Sequence, residues 1–263
     1  MTDVRAQDVK SLRDATGAGM MDAKRALVEA NGDQEAAAQA LREKGLAKAA
    51  ARSERDNTEG AIGMAVAGDR AAMIHLKCET DFSAKSDGFL TAVDDLAASV
   101  LDEGLAVIEK KVSLLDDLRL SIKENVEVGE VFFIEASDGN SIDTYLHRQD
   151  GRGVNGVIIE ASGVDQDILH QIALHVAFAR PTALTREDIP VAAVETEREA
   201  LLEITKAEGK PEQAWEKIVE GRLSSWFKET VLLEQGLHGD KISVQETIGD
   251  GEVVRFVQSY LGD

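Results

Sequence analysis

A single cysteine, Cys78, stands in a chain of 263 residues, so neither an internal disulfide nor a multi-cysteine metal site can be built. That usage fits a reducing compartment. Basic residues are also scarce: 29 Lys and Arg stand against 49 Asp and Glu, a formal net charge of -20. Broad contact with phosphate backbones needs dense Lys and Arg, so a general grip on nucleic acid is excluded as the main role. Nowhere does the chain approach the roughly 18 apolar residues of a membrane-spanning helix, and the opening MTDVRAQDVK has no apolar signal segment. These absences predict a soluble cytoplasmic protein without membrane or nucleic-acid partners. Aromatics make up only 4% of the chain, and all three prolines (Pro181, Pro190 and Pro211) fall within one short stretch.

The charge that is present is unevenly spread. Residues 1–55 hold ten Lys and Arg against nine Asp and Glu, leaving 19 against 40 for the rest. A near-neutral module therefore precedes an acidic body, an asymmetry that marks a domain boundary. Within the module, Val9 and Leu12 share one face of a helix ending at Thr16-Gly17-Ala18-Gly19. A second helix opens at Met20-Met21 and stops at Asn31-Gly32. Asp33 is placed to cap a third, Gln34–Lys44, with Gly45 as its expected stop. Three helices in so few residues enclose little core, which suits a docking role. A linker poor in large apolar residues is expected to run to about Glu59.

The body begins with an alternating pattern on either side of Gly68-Asp69, the mark of a hairpin. Phe89, Val93, Leu96 and Val100 recur at helical spacing, and a further helix is expected over Leu114–Asn125. Strands follow at Glu130–Ala136, Ile142–His147 and Val157–Ala161, then a helix carrying Leu169, Ile172 and Val176. This order predicts an α+β fold of two similar halves rather than alternating βαβ units. Pro190 and Pro211 stand where helices would begin. Val194, Leu201 and Ile204 mark one helix, and Trp215, Val219, Leu223 and Trp226 the next. Together they predict an antiparallel helical hairpin inserted before a last strand around Val253–Val257.

Gly151-Arg152-Gly153-Val154-Asn155-Gly156 has the spacing of a dinucleotide-binding loop, but a strand rather than a helix is expected after it. A flexible hairpin loop explains these glycines more simply. His175 lies on an apolar helix face, where a satisfied core histidine is the commoner outcome. His170 and His175, five apart, diverge too far on a helix to share a metal. No serine or cysteine sits in a nucleophile motif, so no catalytic centre, metal site or cofactor site is expected. The junction Cys78-Glu79-Thr80-Asp81-Phe82 leaves two alternatives. Asp81 could cap the following helix with Phe82 as a staple onto it, or Phe82 could be an exposed aromatic on a rigid turn.

Four separated segments bear on that choice. Leu12-Arg-Asp-Ala-Thr-Gly-Ala-Gly-Met-Met-Asp-Ala-Lys-Arg-Ala-Leu27, Cys78-Glu-Thr-Asp-Phe82, His170-Gln-Ile-Ala-Leu-His-Val-Ala177, and the arm segments Gly209-Lys-Pro-Glu with Ile218-Val-Glu-Gly-Arg222 together resemble the bacterial translation elongation factor Ts family, nearly end to end. The resemblance implies a ubiquitin-associated-like N-terminal module over residues 1–55 and a core subdomain over 56–140. It implies a second core subdomain over 141–180 and 229–263, and a helical-hairpin arm over 181–228. It also implies that the protein is not an enzyme but a guanine-nucleotide exchange factor. Its partner would be the GTPase elongation factor Tu, from which it would release GDP without binding nucleotide itself.

By the same resemblance, Thr80, Asp81, Phe82 and Ser83 would dislodge the partner's magnesium ion. Met20, Met21, Lys24, Ile122 and His147 would supply further contacts. Lys123 stands where a glycine is common in the family, and Ser83 where a small apolar residue is usual. The arm would support a homodimer or a 2:2 complex. The family's usual C-terminal helix is expected to be missing.

Overall fold

The computed structural model describes residues 4–262. Three helices open the chain: α1 (Ala6–Thr16), α2 (Met20–Glu29) and α3 (Gln34–Ala50). Val9, Leu12, Ala23, Ala26, Leu27 and Ala37 meet in a small core of their own. Gly17, at φ 64, closes α1 by donating its N–H to the Arg13 carbonyl. Asp33 caps α3, accepting from the amides of Glu35 and Ala36. Gly45, however, does not stop this helix, which continues to Ala50. The glycine is there for another reason: a Cβ at this position would come within 2.3 Å of Leu120 Cδ2. The helix crosses a neighbour so closely that a side chain here would have to push the end of Leu120 aside.

That neighbour is a helix packed on the first of two three-stranded antiparallel sheets. The strands of this sheet are β1 (Glu59–Ala67), β2 (Arg70–Cys78) and β3 (Glu127–Glu135), in the order β1-β2-β3. Between β2 and β3 lie α4 (Asp81–Ala84), α5 (Asp87–Glu103), α6 (Val107–Lys110) and α7 (Val112–Ile122). Phe89, Val93 and Leu96 of α5 bury themselves against Ala61, Ile74 and Leu76, with Leu115 and Leu118 of α7 in the same cluster. The second sheet comprises β4 (Asn140–Gln149), β5 (Arg152–Ser162) and β6 (Glu252–Tyr260), in that order. On it lies α8 (Gln166–Ala179), through Leu169, Ile172, Ala173 and Val176. Mixed helix with two small antiparallel sheets is the α+β architecture expected.

The sheets also pack on each other. Alternate residues of β1 and β2, Ile62 and Met73, turn away from α5 and pack with Ile134 and Ile158. Strand β2 is therefore buried on both faces. This contact corrects the expectation for the glycine run. Only Asp150 and Gly151 form the turn between β4 and β5, both at positive φ (52° and 84°). Gly153 and Gly156 lie within β5, where Cβ atoms would stand 2.1 Å from the Ile62 carbonyl oxygen and 2.4 Å from Met73 Sδ. They let the two sheets touch rather than cradle a phosphate. At the far end of β5 the fully buried Glu160 accepts from Asn140, the Ser137 amide and Arg255. Burial alone would raise its pKa, but these donors outweigh it and hold the carboxyl below its usual range.

Between α8 and β6 the arm is inserted as α9 (Val191–Ala207) and α10 (Glu212–Thr230). Pro190 and Pro211 each immediately precede the first helical residue, and Gly209, at φ 70, carries the turn between the helices. Leu223, Phe227 and Val231 pack with Ala183 and Ile189 at its base, while Arg222 bonds Glu208 near its tip. The return segment includes α11 (Val244–Ile248), whose two end residues enter the core of the second sheet. There His175 is a satisfied core histidine. Its Nδ1 accepts from the His238 amide, which leaves Nε2 to donate to Gln235 Oε1. Burial pushes its pKa down, keeping the ring neutral.

Candidate functional site

The residues after β2 are held by an unusual density of hydrogen bonds. Thr80, not Asp81, is the cap of a short helix, its hydroxyl accepting from the Ser83 amide at 3.2 Å. Ser86 separately caps α5, accepting from the Phe89 amide. The alternative in which Asp81 caps the helix of Phe89 is thereby overturned: the chain makes two caps where one was expected. Phe82 is consequently no staple. Its side chain is 85% exposed, while Phe89 fills the core beneath.

Glu124, just beyond α7, accepts from four groups of this turn. Its Oε2 takes the amides of Glu79 and Thr80, both at 3.1 Å. Its Oε1 takes the hydroxyls of Thr80 at 2.7 Å and Ser83 at 2.6 Å. Glu79 in turn accepts from the Asn125 amide, and the Asn125 side chain donates to the carbonyls of Ser53 and Arg55. The turn, the end of α7 and the segment leaving α3 thus form one polar knot. Ser83 is buried within it and faces Glu124. Cys78 is buried beside it, donating to the Thr80 carbonyl, and burial pushes its thiol up to about 12. A thiol so held is not a nucleophile at neutral pH.

Asp81 is exposed and points to Lys85, whose Nζ lies 2.9 Å from Asp81 and 3.1 Å from Asp150 of the β4–β5 turn. The hydrogen bond from Lys85 holds the Asp81 carboxyl below its usual range. Through this bridge the tip bearing Phe82 is tied to the hairpin bearing His147. His147 is exposed, 6.3 Å from the stacked ring of Tyr145.

On the N-terminal helices, Met20 and Met21 are 52% and 69% exposed at the start of α2, and Lys24 is exposed one turn on. Ile122 is half-buried against the core of the first sheet. Lys123 follows it in the left-handed conformation, φ 64, which explains why glycine would suit that position. Its Nζ reaches the Gly17 carbonyl at 3.4 Å, and Arg42 pairs with Asp117, so the helical module lies against α7.

The sequence offered no sign of Glu124, whose partners lie more than forty positions away. It also gave no prominence to Phe178, which is 86% exposed at the end of α8. That residue falls off the apolar stripe of Leu169, Ile172 and Val176, and this displacement is the signal that could have found it.

The arrangement presents exposed apolar side chains, Phe82, Met20 and Met21, beside exposed charged ones, Asp81 and Lys24. Among the described residues no cluster of His, Cys, Asp and Glu could hold a metal ion, and no helix is long and apolar enough to cross a membrane. Comparison with known proteins agrees on one family. Residues 79–263 match the family described as Elongation factor TS. The chain is 40% identical to elongation factor Ts of Clavibacter michiganensis subsp. michiganensis, with 94% of each chain covered. It is 41% identical to that of an Arthrobacter species over 96% of each. For Deinococcus radiodurans the identity is 37%, over 97% of this chain and 99% of the relative. Matches of this extent, carried by a chain that displays Asp81 and Phe82 and the side chains of Met20, Met21 and Lys24 at its surface, show that the protein belongs to the elongation factor Ts family.

Proposed function

We propose that this protein is the guanine-nucleotide exchange factor of translation elongation in its cell, acting on elongation factor Tu in the cytoplasm. It makes and breaks no covalent bond and holds no nucleotide of its own. Asp81 and Phe82 enter the GTPase, displace its magnesium ion and so loosen GDP, after which GTP reloads. Met20, Met21 and Lys24 meet the same GTPase domain, while Ile122 and His147 supply further contacts. The near-neutral module (1–55), the two core subdomains (56–140; 141–180 with 229–263) and the arm (181–228) divide this work. The arm offers the surface for pairing two copies.

The observation that carries the reading is Phe82, an aromatic almost wholly in solvent on a turn tied down from beneath. Exposing a large apolar ring has no benefit for folding alone, and rigid aromatic anchors are what interfaces favour. The energetics fit coupling between ligands. A factor that weakens nucleotide binding is itself weakened by nucleotide to the same extent. Burying a Phe side chain contributes roughly 1.5–3 kcal/mol, or about one to two powers of ten in affinity. Phe82 therefore supplies part of the effect, and the displaced magnesium ion and moved phosphate-loop amides of the partner supply the rest. The acidic body, facing a basic patch, raises the association rate.

The test is direct. Elongation factor Tu carrying labelled GDP is mixed with this protein and excess unlabelled nucleotide, and release is followed by stopped flow. Acceleration is the expected result. Unaccelerated release, or binding of GDP by the protein alone, would refute the reading.

A further inference from the structure

Phe82 makes almost no packing contacts that could fix its direction, and α4, which carries it, is a single turn of four residues. An isolated turn of helix is unstable in water. Ala84 seats it on the core of the first sheet and Lys85 ties Asp81 to Asp150, but the largest group of its polar attachments converges on one carboxylate. Thr80 donates its hydroxyl proton to Glu124 Oε1 and thereby turns a lone pair toward the Ser83 amide, completing the cap. Ser83 donates to the same oxygen, and the amides of Glu79 and Thr80 occupy the other. Thr80, the cap of α4, and Ser83 within it are thus both bonded to a single residue just beyond α7. Hydrogen bonds to an ionised acceptor are roughly twice as strong as neutral ones.

We propose that Glu124 is the positioning residue of the exchange reaction: it holds the Asp81-Phe82 turn in its inserting conformation before the GTPase is met. The inference rests on the exchange-factor reading above and adds to it. Without the clamp the turn must be ordered during insertion, so the transition for nucleotide release loses what preorganisation supplied. Met20, Met21, Lys24, Ile122 and His147, the docking contacts, are not among the partners of this carboxylate, which are Glu79, Thr80 and Ser83. The maximal release rate therefore falls while the half-saturating concentration of factor stays close to its original value. Charge-assisted bonds of this kind imply about a ten- to hundredfold loss.

The test uses the full-length protein with Glu124→Ala, alone and combined with Phe82→Ala. The expected outcome is a maximal release rate reduced about ten- to hundredfold for Glu124→Ala. A smaller loss is expected when it is placed on Phe82→Ala than on the wild type, because the clamp acts through the turn to which that ring belongs, with only Asp81 left to position. Losses that multiply in the double variant, or an unchanged rate in a folded Glu124→Ala protein, would overturn the proposal. A second measurement needs no partner: amide hydrogen exchange at Ser83 and Ala84 in the isolated protein should quicken in Glu124→Ala, and unchanged protection there refutes the clamp.

Should Glu124→Ala fail to fold, Ser83→Ala removes one donor and leaves the carboxylate in place. It is expected to show a smaller loss with the same non-additivity toward Phe82→Ala, and additivity would count against the proposal. If the wild-type protein does not accelerate release at all, the exchange-factor reading fails. The amide measurement then still judges the clamp by itself.

Discussion

Two phenylalanines seven positions apart have opposite fates, and substitution should separate them. Phe89 is fully buried under the first sheet, so Phe89→Ala is expected to cost about 3–5 kcal/mol of stability. Phe82→Ala removes a ring that touches little and should change the unfolding free energy by less than about 0.5 kcal/mol. The same variant should slow nucleotide release from elongation factor Tu at least about tenfold, the equivalent of one buried apolar contact. Paired thermal melts and stopped-flow traces decide both points. A collapsed melt with normal exchange would restore Phe82 to the core.

His175 gives a pH signature. Burial lowers its folded pKa, with the neighbouring His238 acting in the same direction against the Gln235 hydrogen bond. Below the ordinary value of about 6.5 the unfolded chain takes up a proton that the folded one refuses. Its contribution is thus fully present above that pH and is lost progressively below it. Thermal melts between pH 7.5 and 5.5 should show a steeper decline for the wild type than for His175→Gln, whatever the variant's absolute stability. Parallel declines would show that His175 is not the group responsible.

At the scale of elements, periodicity revealed the hairpin of β1 and β2, the apolar face of α5 and both helices of the arm, because each is a local pattern repeated over at least two turns or several alternations. Hidden from it was whatever depends on a distant neighbour. Gly45 reads as a helix stop until Leu120 is seen beneath it. Gly153 and Gly156 read as a loop until Ile62 and Met73 are seen against them. The motif residues Thr80, Asp81 and Phe82, and an exposed Phe82 as one of two alternatives, were legible with the help of family likeness, whereas the two separate caps and the clamp from Glu124 needed three dimensions.

Two substitutions test the element-level account. Gly153→Ala sets a methyl group against a backbone carbonyl that cannot turn aside, and should cost about 1–3 kcal/mol by denaturant titration. It should leave any titration of the isolated protein with GDP or NAD flat. Lys123→Gly relieves a left-handed residue at the end of α7 and should raise stability by about 0.5–1 kcal/mol. A loss there would mean that the Lys123 contact with the Gly17 carbonyl outweighs the backbone term.

For the whole molecule, the N-terminal helices have their own small core, yet the chain just after them is held by Asn125 through the Ser53 and Arg55 carbonyls. A truncation lacking residues 1–50 keeps those two partners. It should therefore unfold cooperatively, with wild-type secondary structure in the remainder, while associating more slowly with the GTPase. Circular dichroism and association kinetics measured by stopped flow check the two halves of this expectation. A truncated protein that is unfolded, or one that associates at the full rate, would contradict it.

The close seating of β5 on β1, where Gly153 meets the Ile62 carbonyl, has a consequence for recognition. Two sheets in contact at backbone distance resist sliding, and Lys85 ties the turn of Phe82 to Asp150 of the hairpin of His147, so the span between the two is held like the jaws of a gauge. A partner that must receive both points cannot ask the factor to adjust; it has to yield itself. On the proposed function, the tool stays rigid and the workpiece gives. Selectivity then follows from spacing as much as from contacts: a GTPase with suitable pockets at the wrong separation would be refused by the gauge, however well each pocket fitted alone.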